Sequence, residues 1–269
     1  MPEGDTVYLT AQRMHNALVG RVVSRFDLRV PALALADLAG TTVDAVLPVG
    51  KHLLVRFSSG QTLHSHLRMD GAWQIRPAAQ RSVASASRRP RSAPEHSIRA
   101  VIGNTDWLAS GVRVHDLALV PTAEEASLIG HLGPDLTQPQ PDLTEAIARF
   151  AAHPDLAICE ALLDQRLAAG IGNVYKSELL FLHKIDPWTP VDQVPVLPAV
   201  LADAHRLLRA NLRDFNRSTT GWHQAGHQYW VYGRLGKACR RCGGAVAKHE
   251  PRDNTGRITY YCPSCQRPG

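Results

Sequence analysis

Aromatic residues make up only 6% of the 269-residue chain, and there are just three methionines. No uninterrupted apolar run approaches the ~18 residues needed to cross a bilayer as a helix. The opening Met1-Pro-Glu-Gly-Asp-Thr-Val7 lacks the basic and apolar regions of a secretory signal. These absences predict a soluble, cytoplasmic chain, neither exported nor spanning a membrane as a helix. With 44% hydrophobic and 20% charged residues, disorder is excluded as well. The length fits two ordinary domains, or one domain with an appendage.

Acidic charge is scarce at one end. From Val231 to Gly269, eight bases face only Glu250 and Asp253, a local excess equal to the whole net charge of +6. A compact basic end suits a phosphate-bearing partner, although a solvated face would look the same. Cysteine is scarce too, but four of the five fall in this end. Cys239, Cys242, Cys262 and Cys265 are spaced C-x2-C-x19-C-x2-C, which predicts one structural Zn²⁺ held by four thiolates. Four sulfurs leave no open position for catalysis. Ala245–Lys248 and Arg257–Tyr261 read as two short strands joined by a turn over Asp253–Gly256. Cys159, in an apolar stretch, reads as a buried small hydrophobe.

Val7, Ala11, Met14 and Leu18 share a helical face, with Asp5 or Thr6 as N-cap and Gly20 as the stop. From about 22 to 120 the pattern changes to short strands: 43–47, 52–57, 61–67 and 72–75, with more around Val101, Trp107, Val112 and Val114. Residues 78–96 carry Arg81, Arg88, Arg89 and Arg91 against Glu95 and read as a basic loop, either a linker or a DNA contact. A Pro-rich connection at 133–141 precedes helical patterns at about 142–152, 156–167, 173–182 and 198–215. The 221–230 stretch is an aromatic, His-containing loop. The plan is α+β, with domains at 1–132, 142–230 and 231–269.

Two segments suggest chemistry. Ala169-Gly-Ile-Gly-Asn173 makes a tight turn with Asn173 as N-cap, and the free N–H groups of the following helix form a ready anion site. At the chain start, removal of Met1 exposes the secondary amine of Pro2. An α-amino group has a pKa near 7.7–8.0, so a useful fraction is neutral near pH 7. Such an amine can attack a sugar carbon, and Glu3 beside it can move protons.

Together the motifs resemble the formamidopyrimidine-DNA glycosylase and endonuclease VIII family. They are Met1-Pro-Glu-Gly4, Gly50-Lys-His-Leu-Leu54, His66-Leu-Arg-Met-Asp-Gly71, Ala169–Glu178, Val231–Cys239 and Arg257–Cys265, in the family's order. The Pro-Glu-Gly-Asp start leans towards an actinobacterial endonuclease VIII, second paralogue. The resemblance implies an N-terminal β-sandwich with flanking helices, a helix–two-turns–helix domain and a zinc β-hairpin. It implies a bifunctional glycosylase and abasic-site lyase of base excision repair, working through a Schiff base on Pro2 and β,δ-elimination, with oxidised pyrimidines favoured. Pro2 is then the nucleophile, Glu3 the general acid/base, Lys51 a phosphate holder or elimination assistant, and Arg257 the clamp on the lesion phosphate. Met69 is the wedge behind an everted base, and Arg113, Asn173 and Lys176 are DNA contacts. The expected partner is damaged DNA, as duplex, bubble or single strand, bound by a monomer away from membranes. Two alternatives stay open: a zinc-ribbon protein that binds damaged DNA without cutting it, and a glycosylase preferring 8-oxoguanine or formamidopyrimidine. Two departures stand out. Thr6 occupies the place of a usual acidic residue, with Asp5 beside it, and the family's Arg-Phe wedge pair is missing, leaving Arg113 in Gly111-Val-Arg-Val114.

Overall fold

The computed structural model describes residues 2–78, 94–250 and 257–267. The arginines at 81–91 and the turn at 253–256 lie outside the described residues. The chain forms two compact units, one of residues 1–2 and 6–131, the other of 3–5 and 132–269.

Helix α1 (Gly4–Leu18) lies in the first unit from Thr6 onward, and its Val7, Ala11, Met14 and Leu18 are buried in one core. Gly20, at a φ of 75°, ends it as expected, because only glycine adopts that backbone without strain. Among the described residues eight strands follow: β1 (Arg25–Leu28), β2 (Val43–Val49), β3 (His52–Phe57), β4 (Gln61–His66), β5 (Ala72–Pro77), β6 (Ile98–Gly103), β7 (Trp107–Val112) and β8 (Asp116–Pro121). They pair antiparallel into two four-stranded sheets, ordered β1-β6-β7-β5 and β2-β3-β4-β8. Leu53, Val55, Phe57 and Leu63 of one sheet share a core with Leu28, Trp73, Ala100, Ile102 and Ala109 of the other. This is a β-sandwich. A short helix, α2 (Ala126–Ile129), closes the unit.

One face of the second sheet carries histidines. His52 pairs in register with His66, and its Nδ1 lies 2.8 Å from His64 Nε2. The His131 ring stands edge-on to His52. Burial pushes His52 down to about 3, helped by repulsion from His66, His64 and His131, and pushes His66 down to about 4. A base with a depressed folded pKa costs nothing above its unfolded value near 6.5. Below it, the unfolded chain takes the proton first, so stability falls as pH drops from 6.5 towards 4. His52 alone should remove about 3 kcal/mol by pH 4. Urea midpoints measured between pH 7 and 4 should fall, and His52→Gln should flatten the curve. A flat wild-type curve would show that these imidazoles charge freely in the native state.

The second unit contains α3 (Leu143–Ala151), α4 (Ile158–Ala161), α5 (Asn173–Leu182) and α6 (Leu197–Ala210), then the hairpin strands β9 (Ala247–His249) and β10 (Thr259–Tyr261). Asp142 caps α3 by accepting from Glu145 N. Two expected helices are shorter than their patterns. The 156–167 helix stops early where Asp164 accepts from the backbone and side chain of Arg166, a local bond that competes with helix continuation. The 198–215 helix ends at Ala210 because the Asn211 side chain donates to Leu207 O and Ser218 O. Among the described residues, no helix is long and apolar enough to cross a membrane.

Candidate active site and metal centre

Helix α5 organises the second unit. Every residue from Asn173 to Phe181 is buried, so its polar side chains must find partners inside the protein. The cap is Gly172, and Asn173 is the first helical residue, which corrects its expected capping role. The expected anion site at this helix start is taken by the protein itself. Glu3 accepts from Val174 N at 2.7 Å, Gly172 N at 3.1 Å and Tyr175 N at 3.3 Å. Helix N-termini favour negative charge, and the carboxylate is held there with no exposed surface.

This pose explains two glycines. A Cβ on Gly172 would fall 2.5 Å from Glu3 Cγ and 2.7 Å from Oε1. Gly4 donates to Gly170 O at 3.0 Å, and a Cβ on Gly4 would meet Gly170 Cα at 2.9 Å. The Glu-Gly of the chain start and the Gly-Ile-Gly before α5 are therefore two halves of one close contact.

Asp5 or Thr6 was expected to cap α1, and both lie inside the helix, because it begins at Gly4. The Asp5 carboxylate accepts from Arg217 Nε at 2.6 Å and from the Tyr175 hydroxyl at 2.8 Å. Arg217 is largely buried and lies 212 residues away in sequence, and nothing local in the sequence marks it. Glu178 is another buried carboxylate on α5. It accepts from Trp230, Val231 and Tyr232 N at 2.7–2.9 Å, and from the Thr219 hydroxyl. Burial pushes its carboxyl up, and these four donors pull it back. The 219–232 segment is thereby fastened to α5. Its 221–227 portion lines a cavity of about 490 Å³, with Trp222 exposed and Arg240 over the indole.

Lys176 was expected as a DNA contact, and the structure places it inside the protein. It is 1% exposed, and its Nζ donates to Thr259 Oγ1 at 2.8 Å and Ile258 O at 3.2 Å. Burial lowers it to about 8. Asn173 is also buried, with Nδ2 donating to Ile258 O at 2.8 Å, so its amide grips the hairpin rather than an outside ligand. One face of α5 thus fixes the chain next to the exposed Arg257. In the first unit, Lys51 occupies the turn between β2 and β3, and Met69 the turn between β4 and β5, where it is 51% exposed. Arg113 follows β7 at a φ of 52° and pairs with Asp70 at 3.0 Å. That ion pair braces the Met69 turn. Pro2 is half-buried.

The four cysteines meet. Their sulfurs lie within 4.8 Å of one another, with Cys242–Cys262 at 3.5 Å and Cys239–Cys265 at 4.0 Å. A tetrahedral Zn²⁺ with Zn–S near 2.3 Å needs sulfurs about 3.8 Å apart, so the donor set fits. Cys159 is apart from them and buried, and burial pushes its thiol up to about 11.

Two family models match this chain: the formamidopyrimidine-DNA glycosylase N-terminal domain over residues 1–108, and the H2TH domain of the same glycosylase over 132–219. The chain belongs to the formamidopyrimidine-DNA glycosylase family. Within it, the chain is 47% identical to a probable endonuclease 8 2 of Streptomyces coelicolor, covering all of this chain and 97% of the relative. It is 41% identical to a DNA-(apurinic or apyrimidinic site) lyase, Nei2, of Mycolicibacterium smegmatis, covering 99% of each. Among solved structures, Lactococcus lactis formamidopyrimidine-DNA glycosylase, non-covalently bound to AP-site DNA, aligns with a TM-score of 0.79. The two chains are 23% identical, with 99% of this chain and all of the other covered. The fold is the family's: a β-sandwich domain, a helix–two-turns–helix domain and a four-cysteine hairpin.

Proposed function

We propose that this glycosylase–lyase excises oxidised bases through a Schiff base on Pro2 and then cleaves the strand by β,δ-elimination. The observation that carries the reading is Glu3, beside Pro2 in the chain and pinned on three amides at the start of α5, that of its cap Gly172 included. With Met1 removed, the Pro2 nitrogen attacks C1′ of the damaged nucleoside. The glycosidic bond breaks and the base leaves with a proton that Glu3 helps to deliver. The sugar ring opens to a C1′ iminium. Its fixed charge acidifies C2′–H, and loss of that proton expels the 3′ phosphate; a second elimination expels the 5′ phosphate. Lys51 and Arg257 hold the flanking phosphates, and Met69 fills the stack behind the everted base.

Oxidised pyrimidines are the proposed substrates. With the Arg-Phe pair absent and Met69 as the main wedge, little holds the orphaned partner base. The enzyme should then act well where pairing is already weak, in bubbles and single strands.

The test is borohydride trapping on abasic-site DNA, followed by single-turnover excision of 5-hydroxyuracil and 8-oxoguanine in duplex, bubble and single strand. A covalent adduct supports the enzyme. Tight binding with no adduct would favour a zinc-ribbon binding protein instead. Faster excision of 8-oxoguanine opposite cytosine than of 5-hydroxyuracil would overturn the pyrimidine preference and leave the chemistry standing.

Cys239, Cys242, Cys262 and Cys265 would hold one structural Zn²⁺, which supplies folding energy to the hairpin and no bond making. Cys262→Ser should lose the metal and misplace Arg257, weakening DNA binding at least tenfold. Trapping at saturating DNA should persist. Elemental analysis finding no zinc in active protein would end this account.

A further inference from the structure

We propose that Arg217 is the positioning residue for Glu3, acting as one cation shared between Glu3 and Asp5. The inference rests on the reading of Glu3 as the group that moves protons. Both carboxylates are buried in or beside the first turn of α1. Arg217 Nε donates to Asp5 Oδ2 at 2.6 Å, Nη2 bonds Asp5 Oδ1, and Nη1 lies 3.9 Å from Glu3 Oε1. The guanidinium stands 5.3 Å from the centroid of the Tyr175 ring, whose hydroxyl donates to Asp5. The two acids raise the guanidinium despite burial, and burial raises the Tyr175 phenol.

A cation placed between two buried carboxylates offsets the cost of burying their charge. Arg217 supplies that cation, and the amides of α5 complete the cradle. This arrangement also answers the loss of the usual acid at position 6. Asp5 is the nearest substitute, yet both of its oxygens are bonded to Arg217, and one also accepts from Tyr175. Asp5 therefore holds Arg217 in place, and Glu3 is left as the acid that moves protons. Arg217 also stands two residues before the segment that Glu178 fastens to α5, which ties that loop to the charge of Glu3.

Among the described residues, the groups bearing on Glu3 include Arg217, Tyr175 and Lys176, with Tyr229 and Tyr232 beyond, and Asp5 shares Arg217 with it. Each substitution therefore has a predicted sign. In the full chain labelled with carboxyl-¹³C glutamate, the Glu3 resonance is assigned by its loss in Glu3→Gln, and its titration is followed by NMR. Arg217→Met should raise the midpoint by about one unit or more, and Arg217→Lys should restore part of that shift. Asp5→Asn should lower the midpoint, because it removes the like charge and leaves Arg217 to Glu3 alone. The double variant should fall between the two singles. A merely structural role for Arg217 would not give Arg217→Met and Asp5→Asn shifts of opposite sign. If Arg217→Met does not fold, the sign of the Asp5→Asn shift decides alone. Unmoved midpoints in folded variants would overturn the proposal. Wild-type protein that gives no borohydride adduct would overturn its catalytic meaning, whatever the titration shows.

Discussion

Gly172→Ala should lower single-turnover base excision by about 10²–10⁴-fold, the range that a general acid/base supplies. The backbone raises no objection to the change. Gly172 has a φ of −122°, open to any residue, so the substitution tests space and not strain. The added methyl would occupy the place of the Glu3 side chain, 2.5 Å from its Cγ. Glu3 must then leave the helix start, and Gly172, Val174 and Tyr175 lose their acceptor. Buried amides without partners cost about 1–3 kcal/mol each, so a fall of several kcal/mol in unfolding free energy should accompany the kinetic loss. Glu3→Ala is the control: it removes the carboxylate with no crowding and should match Gly172→Ala in rate. A Gly172→Ala chain within tenfold of wild type would show that excision does not depend on the pinned pose of Glu3.

The same contact shows why part of the site was legible in the sequence and part was not. The metal cluster could be read because each Cys-x2-Cys pair closes a local turn, whose spacing alone brings two sulfurs together. The strands around His52 and Gln61 were legible from alternation and turn residues, and α5 from Asn173 to Leu182 by its apolar run. Contacts between distant segments were not. Asn173 followed a glycine turn and looked like a cap, and the amides behind it looked available. Glu3, some 170 residues earlier, fills that place. Lys176 was expected as a DNA contact, and lysine is rarely buried. Its acceptors, Ile258 O and Thr259 Oγ1, arrive from 82 and 83 residues away. Arg217 had no local signal, since its meaning lies in two acids at the opposite end of the chain. Helix ends failed for a smaller reason: Asp164 and Asn211 turn the chain with their own side chains, and hydrophobic periodicity does not register such bonds.

A chain carrying an uncleaved N-terminal extension should form no borohydride adduct at all, although every side chain is unchanged. In that chain the nitrogen of residue 2 is an amide, with no lone pair to offer C1′. Pro2→Thr is the milder change. It keeps an α-amine, but a primary amine gives an imine that is neutral unless it holds an extra proton, whereas the secondary amine of Pro2 gives a cation at any pH. The electron sink for both eliminations is then only partly populated, and adduct formation should fall by about 10²–10³-fold, comparable to removing a positioned catalytic group. DNA affinity should change little in either chain, because Lys51, Arg257 and the cysteine hairpin are untouched. Equal affinity with lost trapping would separate the nucleophile from the binding surface. An extended chain that still traps abasic DNA would place the amine elsewhere. Lys176, buried with a pKa lowered to about 8, would then be the next residue to replace.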